Sequence, residues 1–316
     1  MDEKKSANAF LEKAGWGEAI KETMAGDFST RAFTRLRHNG KSAILMEAAK
    51  DQKTDKFVLI DGILRGAGLS PPEIYAADIP AGLVLMEDFG FGTMGDRVAG
   101  GADPMPFYEA GTDVLIALHE RLKPEFLPEK ELPLFDARFF ADFVTLRHID
   151  LYFPYKRGRA ATSGEREGFT AAWLEVLAFV DDMPRTLVLR DYMLENLMPL
   201  PEREGAARAG IIDFQDAAIG PVAYDLASLC EHCRRVPPRE ILDFVLERYA
   251  KARQGVDRVE LKRAASVLLA QRHARTLGNF TRFQRFDVVA RVEAALMTAL
   301  GEEESLAPVA RWFEKL

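Results

Sequence analysis

Between Thr186 and Asp216 the chain sets out an acid, a carboxamide and a second acid at intervals that suit one kind of chemistry. Leu187-Val188-Leu189 reads as a short apolar strand running into Arg190-Asp191-Tyr192-Met193-Leu194-Glu195-Asn196. Ile211-Ile212 reads as another, ending in Asp213-Phe214-Gln215-Asp216. Moving a phosphoryl group from a nucleoside triphosphate to a hydroxyl needs a carboxylate that takes the hydroxyl proton. It also needs a cation against the phosphate charge, and hard Mg²⁺ takes oxygen ligands, usually one or two carboxylates beside phosphate and water. Asp191 answers the first need, with Arg190 at its side. Asn196 and Asp213 answer the second. Asp213 lies 17 residues beyond Asn196, which leaves room for a hairpin-like excursion through Pro199, Pro201 and Gly205.

Residues of this kind must be held by strand ends and faced by a layer that binds a nucleotide. Apolar positions at Phe10, Leu11, Ala14, Ala19 and Ile20, broken by Gly15 and Gly17, predict a short helix and a second turn. Asn39-Gly40 stands between Arg31–Arg37 and Ser42–Met46, and this pairing predicts a β-hairpin, because a type I′ turn needs positive φ at both central residues. Phe57, Ile60, Ile63 and Leu64 predict a helix over 53–66, and strands are expected at Glu73–Ala77 and Gly82–Glu87. Glycines and prolines from Gly90 to Pro106 read as a connector. Helical periodicity then governs about 107–121, 136–150, 165–180, 238–252, 258–278 and 286–300. The expected fold is α+β and bilobed, with a small β-rich lobe carrying one inserted helix (1–90) and a larger, mainly helical lobe (91–316).

Composition narrows the partners. With 42 Lys+Arg against 49 Asp+Glu the net charge is −7, which argues against a surface built to neutralise a nucleic-acid backbone. No apolar run reaches the 18 or so residues of a membrane helix, and Met1-Asp2-Glu3-Lys4-Lys5 is unlike a secretion signal, so a cytoplasmic location is expected. Two cysteines exclude a disulfide framework, and Cys230-x-x-Cys233 lacks the second pair that structural zinc requires. His119 reads as a satisfied histidine beside the core. Gly90-x-Gly92-x-x-Gly95 matches a dinucleotide fingerprint in letters only, since Gly100, Gly101, Pro104 and Pro106 interrupt the helix it needs.

Arg190, Asp191 and Asn196 match the kinase catalytic-loop pattern H-R-D-x-x-x-x-N, with Leu189 in the histidine's place. Together with Asp213-Phe214-Gln215-Asp216 and Tyr224-Asp225-Leu226-Ala227-Ser228-Leu229, the chain resembles the aminoglycoside phosphotransferase/choline kinase family, which has a protein-kinase-like fold. Gly26–Phe33 looks like that family's nucleotide loop and Leu85–Gly90 like its hinge strand. Within the family the likeness is greatest to bacterial kinases of the anomeric hydroxyl of N-acetylmuramate and N-acetylglucosamine, carried also by Gln271–Phe280. The resemblance implies an ATP- and Mg²⁺-dependent kinase of a small hydroxyl compound, an amino sugar first, with an aminoglycoside or choline-like amino alcohol as the alternative acceptor and a catalytically weak, nucleotide-binding regulatory protein as the alternative role. Asp191 is implied as base and Asn196 and Asp213 as metal ligands. Ser29 and Arg31 would cover the phosphates, and the backbone at Glu87, Asp88 and Phe89 would bind adenine. Asp225 is implied as an acid that steadies the catalytic loop, a position that also fits plain helix capping.

The chain departs from the family at three points. Leu189 replaces the usual histidine, Met193 stands where a second one is common, and the strand Ser42–Glu47 has no lysine for the α/β-phosphates. Arg31, Arg35, Lys41 and Lys50 are the candidates to replace that lysine. The stretch Arg272–Asn279 is basic, which suits an acid-bearing sugar better than a polycation, although arginines on a helix also make an ordinary solvated face.

Overall fold

A computed structural model of the chain describes residues 2–24, 31–49, 53–230 and 239–315. In chain order it forms α1 (Asp2–Lys13), β1 (Ile20–Thr23), β2 (Ala32–His38), β3 (Lys41–Glu47), α2 (Thr54–Gly66), β4 (Ile74–Asp78) and β5 (Leu83–Glu87). Next come α3 (Met94–Ala99), α4 (Met105–Arg121), α5 (Ala137–Arg147), α6 (Phe153–Arg157), α7 (Ser163–Leu177) and β6 (Arg185–Val188). The remainder is β7 (Leu197–Pro199), β8 (Ala209–Ile211), β9 (Ala218–Pro221), α8 (Ala223–Cys230), α9 (Arg239–Ala252), α10 (Arg258–Arg282), α11 (Phe286–Glu302) and α12 (Ala307–Glu314). Two compact units result, one of Met1–Asp103 with Leu194–Asp216, the other of Pro104–Met193 with Ala217–Leu316.

The first unit is built on a five-stranded antiparallel sheet of order β1-β2-β3-β5-β4. Asn39 (φ 48°) and Gly40 (φ 73°) make the expected turn, closed by the His38–Lys41 pair. Alternate strand residues Leu36, Ala43, Leu45, Leu83 and Leu85 bury their side chains with Ala7 and Leu11 of α1, the period-2 pattern of a covered sheet face. β1 is a strand where a turn was expected. All four of its residues are exposed, so it carries no alternation by which to read it. α3 is a second correction: it starts inside the glycine-rich connector, where Thr93 and Asp96 form a reciprocal capping box that satisfies the first free N–H groups.

The second unit is mainly helical. Its core is aromatic, with Trp173, Phe169, Phe140, Phe153, Tyr224 and Tyr249 almost fully buried. His119 is buried beside the core as expected, but it is only half satisfied: Nδ1 lies 2.7 Å from the Tyr249 hydroxyl, while Nε2 is buried with no hydrogen-bond partner among the described residues. Cys230 is buried and burial pushes its thiol up, while His232 and Cys233 lie outside the described residues. Gly278 of α10 meets α5 so closely that a Cβ there would fall 1.9 Å from the Arg147 carbonyl oxygen. No helix among the described residues is long and apolar enough to cross a membrane.

His148 follows α5 in a π-helical turn, stacked on Phe169 at 4.9 Å with Nδ1 3.1 Å from the Ala274 carbonyl. Burial pulls its pKa down to about 4. A depressed pKa means a stability contribution that is complete above the unfolded value of about 6.5 and is lost as pH falls. Against His148→Phe, which keeps the ring stacking, the wild type should lose about 1.4 kcal/mol of relative stability per pH unit from pH 6 towards 4. Urea unfolding of both proteins at pH 7, 6 and 5 measures this. A constant difference would contradict it.

Candidate active site

The two halves of the sequence motif fall on different units, and each has its own local logic. In the first unit β7 and β8 form the predicted hairpin, paired Leu197–Ile211, Met198–Gly210 and Pro199–Ala209. That register sets Asn196 opposite Ile212, whose N–H donates to the Asn196 carbonyl at 3.0 Å, so Asn196 and Asp213 come to one end of the ladder. Gly95 lets α3 press on the turn that bears Asn196, since a Cβ there would lie 2.4 Å from Glu195 Oε1. Asp213 takes a left-handed backbone (φ 60°), an uncommon state for a non-glycine residue and one that gathers at functional sites. Its Oδ1 accepts from Gln215 Nε2 at 2.7 Å and lies 3.9 Å from Arg31 Nη1. Burial lowers the Arg31 pKa, against the raising influence of Asp213 and Asp216.

α2 anchors the same segment. Phe57 stacks on Phe214 at 4.8 Å, and Lys53 Nζ donates to Asp216 Oδ1 at 2.5 Å. Lys53 is the cation that sequence reasoning passed over. It precedes the helix in a left-handed conformation (φ 58°), with no strand pattern to flag it. Arg35, one of the candidates to replace the strand lysine, is committed elsewhere. It is 3% exposed, donates to both Asp88 carboxylate oxygens at 2.8 and 2.9 Å and to the Gly90 carbonyl at 2.7 Å, and lies under the Phe91 ring. Lys41 is exposed at the hairpin turn, and Ser29 and Lys50 lie outside the described residues.

At the end of β5, Glu87 pairs with Arg203, whose guanidinium also lies over the Phe89 ring. Phe89 packs against Gly210 of β8, where a Cβ would sit 2.8 Å from the ring. Burial pushes the Asp88 carboxyl up, and the donors Arg35, Gly90 N–H and Ser42 outweigh it, leaving it below the ordinary carboxylate range. The Asp88 side chain is thus taken. The backbone N–H and C=O groups of Asp88 and Phe89 form no hydrogen bond among the described residues.

In the second unit β6 pairs with β9 and delivers the chain to Arg190, itself left-handed at φ 73°. The buried Asp225 of α8 accepts from Leu189 N–H at 2.5 Å and Arg190 N–H at 3.0 Å. Ser228 Oγ and Arg272 Nη1 donate to the Arg190 carbonyl at 3.1 and 3.0 Å. Tyr192 is buried and its hydroxyl donates to the Gly111 carbonyl of α4 at 2.7 Å. The loop is therefore gripped on both sides of Asp191, which lies 4.0 Å from Arg190 Nε. Asp225 holds the loop rather than merely capping α8. Burial pushes its carboxyl up to about 7, against the two N–H donors and Arg272. The basic stretch on α10 is no solvated face, since Arg272 and Arg275 are both buried.

A β-rich unit and a mainly helical unit, each carrying its own share of the candidate residues, are the two parts of a protein-kinase-like fold. Residues 22–262 match the model of the phosphotransferase enzyme family, and the chain belongs to that family. It is 30% identical to the N-acetylmuramate/N-acetylglucosamine kinase of Caulobacter vibrioides, over 97% of this chain and 94% of that protein. It is also 30% identical to the protein of the same name from Pseudomonas aeruginosa, over 85% and 79%. A choline/ethanolamine kinase family protein from Mesorhizobium loti has the same fold at 15% identity (TM-score 0.65, covering 97% of this chain and 99% of that one). So does the GDP complex of wild-type aminoglycoside 2'-phosphotransferase-IIIa at 15% identity (TM-score 0.63, covering 95% and 98%). The chain is an ATP- and Mg²⁺-dependent phosphotransferase with an alcohol group of a small molecule as acceptor.

Proposed function

We propose that the acceptor is an N-acetylated amino sugar such as N-acetylmuramate or N-acetylglucosamine. The observation that carries this reading is the end-to-end similarity to kinases named for those sugars. Arg275 of α10 supports it, because a polycationic aminoglycoside or a choline-like amino alcohol has no use for a buried guanidinium whose Nε lacks an acceptor.

In this reading residues 1–90 serve the nucleotide, residues 91–316 serve catalysis and the sugar, and the enzyme works in the cytoplasm. Asp191 accepts the proton of the attacking hydroxyl, within a loop whose backbone Asp225, Ser228 and Arg272 hold still. Arg190 keeps its guanidinium beside that carboxylate. Asn196 and Asp213 fit a hard divalent cation, since they offer a carboxamide and a carboxylate oxygen from one end of a hairpin. Mg²⁺ held there would offset the charge on the transferred phosphoryl group. Arg31, beside Asp213, would meet the phosphates together with Ser29. The unbonded backbone groups of Asp88 and Phe89 offer a donor and an acceptor to the adenine edge.

ADP release from Mg-ATP, measured across amino sugars, other sugars, amino alcohols and aminoglycosides, tests the assignment. Turnover is expected on an N-acetylated amino sugar. Turnover confined to a polycationic antibiotic or a choline-like alcohol would overturn it.

A further inference from the structure

The helical unit carries a concentration of positive charge to which the chemistry above gives only Arg190 a place, beside Asp191. Phe143 and Arg147 stand one turn apart on α5, Arg275 comes from α10, and Arg190 comes from the loop after β6. The guanidinium carbons of Arg147, Arg190 and Arg275 lie over the Phe143 ring at 5.4, 5.8 and 5.2 Å from its centre. Phe143 and Arg147 are half-buried, the Arg190 side chain is 27% exposed, and Arg275 is 6% exposed. No carboxylate among the described residues pairs with Arg147 or Arg275, and the Nε of each is buried without a hydrogen-bond acceptor. Burial first, then repulsion from Arg282, Arg275 and Arg190, holds the Arg147 pKa below its ordinary value. One acid that borders the group is Asp191, 4.0 Å from Arg190.

Like charges gathered this closely repel, and the aromatic face recovers only part of that cost. Cation–π stacking leaves the in-plane N–H edges of a guanidinium open, and those edges match a carboxylate in a two-point pairing. The cluster adjoins the carboxylate that receives the acceptor's proton, so it borders the acceptor.

We propose that Arg147, Arg190 and Arg275, gathered on Phe143, form a subsite for a carboxylate carried by the acceptor sugar. The enzyme then prefers sugars that bear an acid. This rests on the amino-sugar reading above. It goes further by assigning the residues that tell an acid-bearing sugar from a neutral one.

The test compares N-acetylmuramate, its carboxamide and N-acetylglucosamine as acceptors, by kcat/KM and by calorimetric affinity. Wild-type enzyme should favour the acid over its carboxamide at least tenfold in both measures. The acid-to-carboxamide ratio should fall at least tenfold in Arg147→Gln and recover in part in Arg147→Lys, which restores the charge. Equal handling of acid and carboxamide by the wild type overturns the subsite without any variant. A parallel loss on all three sugars in Arg147→Gln also overturns it, and assigns the cluster to nucleotide phosphate or to the fold. Binding and turnover of none of the three would remove the amino-sugar reading itself, and the subsite with it.

Discussion

Asp191→Asn is expected to lower kcat at least a hundredfold while ATP binding stays close to that of the wild type. Asparagine has the shape of the carboxylate but cannot take up a proton, and general-base contributions run roughly 10²–10⁴ in rate. The loop should keep its form, because the groups that hold it come from outside residue 191. Asp225 binds the N–H groups of Leu189 and Arg190, Ser228 and Arg272 bind the Arg190 carbonyl, and Tyr192 reaches Gly111. Steady-state ADP release on the preferred acceptor, with calorimetry for the nucleotide, separates chemistry from binding. A variant within a few-fold of wild-type kcat would show that another group takes the proton.

Asp225→Ala should cost about 2–6 kcal/mol of stability, because two buried N–H groups lose their acceptor at roughly 1–3 kcal/mol each. It should also cut turnover sharply, since the left-handed Arg190 loses the clamp that sustains its backbone. The stability loss should depend on pH. A carboxyl raised to about 7 by burial contributes most below its unfolded value near 3.9, and that contribution declines as pH rises towards 7. The gap between wild type and variant should therefore be wider at pH 5 than at pH 8. Urea unfolding at the two pH values reads the gap directly. A wider gap at pH 8 would mean that Asp225 acts as a buried anion held by Arg272.

Much of the backbone that bears the candidate residues could be read in advance because it rests on short-range rules. Asn39-Gly40 demands a hairpin through its own backbone preference, and Asp191, Asn196 and Asp213 stand at strand ends that apolar runs announce. What escaped reading depends on contacts between distant residues or on the absence of pattern. The pairing of Arg35 with Asp88 spans 53 positions and withdraws a cation that looked available for phosphate. Lys53 meets Asp216 across 163 positions. β1 has no buried side to betray it, and the capping box of α3 was hidden among glycines. The arginines of α10 looked like a wet face because the packing of that helix against α5, α8 and α11 cannot be inferred from its own letters.

Gly278 stands three residues after Arg275 and rests on the backbone of Arg147. A single hydrogen atom therefore sets how far apart the two arginine-bearing helices run. Even one methyl group at this point would wedge them open and spread the charges that flank Phe143. For anyone redesigning acceptor choice, residue 278 is a dial on helix spacing that leaves every charge in place.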